Sequence, residues 1–201
     1  RTMTRRIVVT GLGAISPCGA DAEATWDAMV EGRSGIGPIT RFDPQDWPVQ
    51  IAGEVKDFDA VAHLGRRETR RMDRFTQFAA VTADMALHDA GLGGDFERPE
   101  RVSVFVGTGI GGLDEILRGQ EALSAEGPRG LSPFFVPRLL TNLAGGTIAM
   151  RIGAQGPNHC LSTACASATH AIGEAYRSLL LGDADVAVAG GTEAPITPLG
   201  L

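Results

Sequence analysis

The sequence has few cysteines, no excess of basic residues and no long apolar run. Its three cysteines lack the spacing of a metal site, and their odd number favours free thiols in a reducing cytoplasm over a disulfide framework. No apolar stretch is long enough to cross a bilayer. The net charge of −6 makes general nucleic-acid binding unlikely, because phosphate binding needs basic surface. We therefore expect a cytoplasmic protein that binds neither membrane nor nucleic acid.

The composition is that of an ordinary globular domain. The chain has 201 residues, of which 43% are hydrophobic and 21% charged, enough for one domain with a core. Its 27 glycines indicate close backbone packing and tight turns. No signal peptide precedes the first predicted strand, and residues 1–3 look like a tag remnant or leader. We treat residues 1–201 as one unit without internal repeats.

Short apolar runs alternate with helical patterns along the chain. This alternation predicts an α/β layered architecture, with a mixed sheet covered by helices on both faces. The run at residues 6–10 is rich in β-branched residues and is predicted to be a buried, central strand. The other predicted strands are 49–55, 102–106, 158–161 and 185–189. The predicted helices are 21–32, 66–91, 114–125, 139–152 and one from about residue 164 to residue 181.

Cys165 carries the main functional hypothesis. It lies where a turn meets the predicted helix that Gly182 ends, and Thr163 is a candidate N-cap. In the first helical turn, free N–H groups and the macrodipole would favour an anion and lower the pKa of the thiol. Such a thiolate is a nucleophile, and the adjacent N–H could stabilise an oxyanion.

A structural role for Cys165 is about equally consistent with the pattern. Free cysteine is often a small buried core residue, and Ala168, Ile172, Ala175 and Leu179 predict a buried helix face. Neither His159 nor His170 is predicted to face the thiol. The residues of this chain therefore support no cysteine–histidine pair.

Two further patterns have both structural and functional interpretations. Five arginines open the predicted helix 66–91, where cations oppose the helix dipole. They form either a solvated face or a patch that binds an acidic partner. The glycine-rich turn around Ile110 could cradle phosphate but lacks the lysine of a P-loop. Close packing, with Ile110 pointing into a pocket, is the favoured interpretation. The GLG segment near the start lacks the third glycine of a dinucleotide site.

Several segments, in order, resemble the beta-ketoacyl-[acyl-carrier-protein] synthases of the thiolase-like superfamily, type II elongating enzymes above all. They are RRIVVTGLGAISPCG, SGIGPITRFD, RRETRRMDRFTQFA, VGTGIGG, GPRGLSPFFVPRLLTN, and STACASA followed by GDADVAVAGGTEAPITPLG. The complete fold of that family has five α/β/α/β/α layers built from two related halves. The resemblance implies that residues 1–201 are the N-terminal half and that the C-terminal half is absent from this sequence.

The resemblance implies an acyltransferase of type II fatty-acid synthesis. In such enzymes a decarboxylating Claisen condensation joins a cysteine-bound acyl chain to malonyl-ACP and gives 3-oxoacyl-ACP. Cys165 would be the nucleophile and oxyanion donor, and Ile110 and Phe135 would line the acyl pocket, Phe135 near the interface of a homodimer. Acyl carrier protein would dock on a set of basic residues: Arg67, Arg70, Arg71 and Arg129.

The resemblance implies no metal or organic cofactor, since cysteine and imidazole suffice for this chemistry. Two histidines and a lysine from the second half complete the family's site, so we expect this chain alone to be inactive. Three alternatives stay open: a polyketide ketosynthase, a thiolase acting on acyl-CoA, and a non-catalytic partner subunit. The last usually lacks the nucleophile, so Cys165 counts against it.

Overall fold

A computed structural model describes residues 5–201. Residues 1–4, which include the predicted leader remnant, lie outside the described residues. The helices are α1 (Ala22–Val30), α2 (Ala60–Thr69), α3 (Arg74–Asp89), α4 (Leu113–Glu126), α5 (Phe135–Leu139), α6 (Leu143–Ile152) and α7 (Ser167–Leu181). The strands are β1 (Gly37–Pro38), β2 (Ile51–Ala52), β3 (Val102–Gly107), β4 (Asn158–Leu161) and β5 (Val186–Gly191).

A parallel sheet of order β4-β3-β5 forms the centre of the fold. Every residue of β3 is buried, because its side chains alternate between two covered faces. Val102, Val104 and Val106 pack with Phe75 of α3 and Ile148 of α6 on one face. Phe105 packs with Ala171 of α7 on the other face. The predicted α/β class, with helices on both faces of a sheet, is confirmed.

Two glycines bring the start of α7 directly onto the carboxyl end of the sheet. A Cβ at Gly107 would lie 2.3 Å from the carbonyl carbon and oxygen of Ser167, and a Cβ at Gly191 would lie 2.5 Å from Cβ of Ala168. Both contacts are far closer than atoms can approach, so only glycine fits at these positions. This close approach holds the segment before α7 at the edge where the parallel strands end.

The predicted first strand is wrong. Residues 6–10 have no strand pairing in the structure, and Val8 and Val9 are 55% and 80% exposed. The segment is held near its start by Arg5, whose guanidinium binds the carbonyls of Leu179 and Ala184 and the carboxylate of Asp185. Without burial, its β-branched side chains do not suffice to form a sheet strand.

The sheet is also less mixed than predicted. Within residues 5–201, antiparallel strand pairing is confined to the separate, two-residue pair of β1 and β2. Of the predicted strand 49–55, only the two residues of β2 form a strand in the structure. The predicted strands at 102–106, 158–161 and 185–189 correspond to β3, β4 and β5.

The predicted helix 66–91 is two helices. Asp73 caps α3 by accepting a hydrogen bond from the Phe75 N–H, and burial raises the pKa of its carboxyl group. Helix α2 is itself interrupted at Gly65, which has φ of 76° and ψ of 154°, so Arg66 and Arg67 open the short helical segment that follows this break. Arg74 is the first residue of α3, whereas Arg70 and Arg71 lie between α2 and α3. Three of the five arginines therefore lie at a helix start as predicted, and two do not.

Other helix boundaries agree better with the predictions made from the sequence. Asp21 caps α1 by accepting from the Ala24 N–H, and Gly182 ends α7 in the left-handed conformation, with φ of 83°. The predicted helix 139–152 corresponds to α6, which begins four residues later at Leu143, and Leu139 is the last residue of α5. In the described part of the chain, no helix has both the length and the apolar character that a membrane span requires.

Candidate functional site

Three segments meet at the carboxyl edge of the parallel sheet, each directly after a strand. The Thr108 N–H, after β3, donates to the Leu161 carbonyl at the end of β4 (3.1 Å), and the Thr192 N–H, after β5, donates to the Gly107 carbonyl (3.0 Å). The Ser162 hydroxyl donates to the Gly109 carbonyl (3.1 Å). Ligands of open α/β sheets bind at this edge, so it is the first place to look for chemistry.

Cys165 lies in a strained turn at this edge and is exposed. Its neighbour Ala164 has φ of 50° and is the one non-glycine residue with positive φ among residues 5–201. The buried hydroxyl of Ser167 bridges the turn. It accepts from the Thr163 N–H (2.8 Å) and donates to the Ala164 carbonyl (2.6 Å). This hydroxyl therefore supports the conformation that presents Cys165 to solvent.

The helix start differs from the prediction. Helix α7 begins at Ser167, and the N-cap is Ala166 without a side-chain hydrogen bond. Cys165 thus precedes the helix and is not in its first turn. Thr163 is not the N-cap, and its hydroxyl lies 2.7 Å from Nδ1 of His170.

The buried face of α7 agrees with the prediction at Ala175, whereas Ala168 and Leu179 are half-buried and Ile172 is exposed. Its buried residues are Ser167, Ala171, Ala175 and Ser178, whereas Ile172 is 55% exposed. Because α7 approaches the sheet so closely, only small side chains fit between them. The larger Ile172 lies on the open side of the helix.

The amides of the glycine-rich loop are already bound by a carboxylate. Glu193 accepts from the Thr108 hydroxyl (3.1 Å) and from the N–H groups of Gly109 (2.6 Å) and Ile110 (3.3 Å). The Gly111 N–H in turn donates to the Thr108 hydroxyl (3.2 Å). The groups that would cradle a phosphate therefore bind Glu193, which argues against the phosphate alternative.

Gly109, the residue before Ile110, contacts the turn that carries Cys165, whereas the described contact of Phe135 lies elsewhere. A Cβ built at Gly109 would lie 3.7 Å from Cα of Ala164, and Ile110 is 48% exposed. The ring of Phe135 lies over Gly119 of α4, where an added Cβ would be 2.3 Å from it. The described contact of Phe135 is therefore with α4 and not with the Cys165 turn.

The arginine cluster separates into exposed residues and one structural residue. Arg67, Arg70, Arg71 and Arg129 are exposed, and Arg71 lies 5.8 Å from the centre of the Phe134 ring. Arg74 instead donates to the Val55 carbonyl (2.8 Å) and lies over two phenylalanine rings. Burial lowers the pKa of its guanidinium. Only the exposed members are available to a partner.

Sequence reasoning missed Ser167 and Glu193. Both act through hydrogen bonds to backbone groups, which leave no motif in the sequence. The available signal was position, since Glu193 comes directly after a predicted strand. Within residues 5–201, histidine, cysteine, aspartate and glutamate side chains form no group of three that could hold a metal ion.

Comparison with known proteins identifies relatives over nearly the whole chain. The sequence model described as "Beta-ketoacyl synthase, N-terminal domain" matches residues 4–201. A 3-oxoacyl-[acyl-carrier-protein] synthase 2 of Synechocystis is 48% identical over 195 residues, which are 97% of this chain and 47% of that relative. An enzyme of the same name from Staphylococcus aureus is 44% identical over 200 residues, 100% of this chain and 48% of the relative. The chain spans about half the length of the curated relatives it matches.

Solved ketosynthase structures share the fold. The ishigamide ketosynthase/chain length factor superposes with a TM-score of 0.88 at 32% identity, over 95% of this chain and 48% of that one. A type II polyketide ketosynthase, solved in complex with its acyl-carrier protein, has a TM-score of 0.81 at 27% identity, over 96% of this chain and 52% of that one. These likenesses agree with the thiolase-like fold expected for an N-terminal half.

Proposed function

The chain belongs to the beta-ketoacyl synthase family, and from that premise we propose that it is the N-terminal half of an acyltransferase of type II fatty-acid synthesis. The two relatives named 3-oxoacyl-[acyl-carrier-protein] synthase 2 support the reaction class. The observation that carries the proposal is the exposed Cys165, held on a strained turn at the carboxyl edge of the parallel sheet.

Cys165 would act as the nucleophile of a two-stage reaction. Its sulfur attacks the thioester of an acyl carrier protein, forming a new thioester while the carrier thiol leaves with the proton. Malonyl-ACP then loses CO₂, and the resulting carbanion attacks the acyl carbon. The C–C bond forms, the Cys165 thiolate leaves, and the product is a 3-oxoacyl-ACP. The groups expected to assist decarboxylation and stabilise the oxyanion belong to the second half of the family's fold.

Ile110 and Phe135 are proposed to form part of the acyl pocket. The packing of Gly109 against the Cys165 turn supports this role for Ile110. Phe135 packs on α4 within this chain, which fits a residue that lines a pocket near the interface of a homodimer. In that dimer, Phe135 would approach the cysteine only after association.

Arg67, Arg70, Arg71 and Arg129 are proposed to dock the acidic carrier protein. Their exposure on a chain of net charge −6 supports this role, as does the carrier-bound ketosynthase among the structural relatives. In an enzyme that contains both halves of the family's fold, replacing Arg67 and Arg71 by glutamate should raise the KM for acyl-ACP and leave the KM for acyl-pantetheine unchanged. Arg177→Glu, at an exposed position of α7, is the matched control. Equal KM values for acyl-ACP in all three proteins would refute this docking surface.

Acylation of Cys165 is the direct test of the function. The protein is incubated with acyl-ACP, and the acyl adduct is located by mass spectrometry of the intact chain and its peptides. We expect an adduct on Cys165, retained in Cys160→Ala and lost in Cys165→Ala. Cys160 is a half-buried thiol nearby and serves as the control. An adduct of equal yield in Cys165→Ala would exclude Cys165 as the acyl acceptor.

A polyketide ketosynthase is the second candidate, favoured by the type II polyketide ketosynthase among the structural relatives. The products distinguish the two functions when an acyl primer and malonyl-ACP are supplied to an enzyme that contains both halves of the family's fold. A fatty-acid enzyme should release one 3-oxoacyl product, whereas a polyketide enzyme should extend the chain repeatedly without reduction. Transfer from acyl-CoA without decarboxylation would instead indicate a thiolase.

A further inference from the structure

The carboxylate of Glu193 binds the middle of the glycine-rich loop beside Cys165. We propose that Glu193 is a positioning residue that determines which acyl chains reach Cys165, because it fixes the segment that carries Ile110. The inference rests on the proposed function, in that it assumes an acyl group is transferred to Cys165. Neither the sequence pattern nor any relative described above assigns a role to this glutamate.

The hydrogen bonds of Glu193 hold the loop residue by residue. One carboxylate oxygen accepts from both the Gly109 and the Ile110 N–H groups. The other accepts from the Thr108 hydroxyl, which itself accepts from the Gly111 N–H. The four residues 108–111 are thus tied to a side chain 82 to 85 positions later in the sequence. Hydrogen bonds to an ionised acceptor are the stronger kind.

The two ends of the loop have anchors of their own, and Gly109 has a second anchor in the Ser162 hydroxyl, whereas the hydrogen bond described for the Ile110 backbone is the one to Glu193. At the start, the Thr108 N–H donates to Leu161. At the end, Gly111 and Gly112 pack so tightly against residues 138–141 that an added Cβ would lie 2.9 Å from Thr141 and 2.3 Å from the Arg138 carbonyl. Ile110 is 48% exposed, so side-chain packing within this chain holds it only in part. Its position therefore depends on Glu193.

Movement of this loop would change the surroundings of the Cys165 sulfur. Gly109 lies against Ala164, the strained residue next to Cys165, and its carbonyl accepts from Ser162 in the same turn. A fixed Ile110 makes a wall with a defined distance from the thiol, and such a wall distinguishes long from short chains. A loosened loop would accept a wider range of chain lengths.

The first experiment measures chain-length discrimination at Cys165 without assuming an enzymatic reaction. Methyl and decyl methanethiosulfonate are allowed to modify the protein, and the rate at Cys165 is followed by peptide mass spectrometry. We expect Glu193→Ala to move the ratio of the two rates towards one by about tenfold, as for loss of one charge-assisted hydrogen bond. Amide hydrogen exchange at Gly109 and Ile110 should accelerate in the same variant.

Two variants separate this role from a general structural one. Glu193→Gln should give a rate ratio between those of the wild type and Glu193→Ala. Its amide oxygen still accepts from the two N–H groups, but the charge is lost and the Thr108 hydroxyl loses its acceptor. Glu174→Ala, at an exposed position of α7, should keep the wild-type rate ratio. If Glu193→Ala does not fold, Glu193→Asp replaces it with the same expectation, because the shorter side chain cannot bind all three donors.

The second experiment repeats the comparison with short and long acyl-ACP as donors. An unchanged length preference in Glu193→Ala, with Cys165 still acylated, would overturn the inference and leave the proposed function intact. A wild-type protein that shows no length dependence with either reagent class would also overturn it. If the thiosulfonate ratio changes as expected but no acyl-ACP acylates Cys165, the proposed function fails while the positioning role of Glu193 stands.

Discussion

Replacing Ser167 by alanine tests how the fold presents Cys165. Ser167 is 3% exposed. Its hydroxyl accepts from the Thr163 N–H at 2.8 Å and donates to the Ala164 carbonyl at 2.6 Å. Ser167→Ala deletes both bonds and leaves the Thr163 N–H without this acceptor, whereas the Ala164 carbonyl still accepts from the Ser167 N–H (3.1 Å). At about 1 kcal/mol for each bond, the free energy of unfolding should fall by roughly 2 kcal/mol.

The same change should slow the chemistry of Cys165. Ala164 has φ of 50°, a conformation that costs about 1–2 kcal/mol for a residue with a Cβ. Without the serine bridge, Ala164 can relax and Cys165 loses its fixed position. We expect the second-order rate of Cys165 alkylation by iodoacetamide to change, and the rate of its acylation by acyl-ACP to fall about tenfold or more.

Ser178→Ala is the matched control. Ser178 lies on the same buried face of α7, but its hydroxyl has no hydrogen-bond partner within the described residues. Its removal should leave both the stability and the Cys165 rates unchanged or slightly raise the stability. A Ser167→Ala protein that is folded and is acylated as fast as the wild type would refute the reasoning, as would equal losses of stability in the two variants.

Three further predictions concern the scaffold. Gly107→Ala should lower the free energy of unfolding by about 3 kcal/mol or more, since its Cβ would meet the Ser167 backbone at 2.3 Å; Gly146→Ala, in open space, should be neutral or stabilising in the same urea titration. Thr76→Val should raise stability by about 1 kcal/mol, because the Thr76 hydroxyl is buried without a partner among the described residues; an unfolding midpoint lower than that of the wild type would contradict this. Hydrogen bonds from Arg101 and Arg5 hold the pKa of Asp185 well below its ordinary 3.8, so Asp185→Asn should lower the melting temperature at pH 7. The difference should shrink as the pH falls below about 4, because the unfolded chain then binds a proton at Asp185 while the folded protein still holds the carboxylate ionised. A difference independent of pH would exclude the ionic explanation.

Local signals predicted much of the scaffold correctly. Strands β3 and β4 follow from short runs bounded by turn residues, and β4 has the predicted bounds, 158–161. The cap at Asp21 and the left-handed stop at Gly182 depend on side-chain and backbone preferences of single residues. Such preferences act over one or two helical turns, so a sequence pattern is enough to find them.

Errors arose where distant packing overrides local pattern. Residues 6–10 have the composition of a strand, but nothing within the described chain buries Val8 and Val9 enough to make them one. The apolar stripe through residues 66–91 continues across a break that the cap of Asp73 creates. The buried face of α7 is decided by how closely Gly107 and Gly191 let the helix approach the sheet.

By itself, the sequence determined the family and the alternation of strand and helix, because both depend on residue types in a fixed order. The tertiary structure alone decided that Cys165 precedes α7 on a turn bridged by Ser167, and that Glu193 ties down the loop of Ile110. The physical reason is that these positions are set by hydrogen bonds between backbone groups and side chains. In the case of Glu193 and Gly109, the partners are 84 residues apart, and only the parallel sheet brings them to one edge.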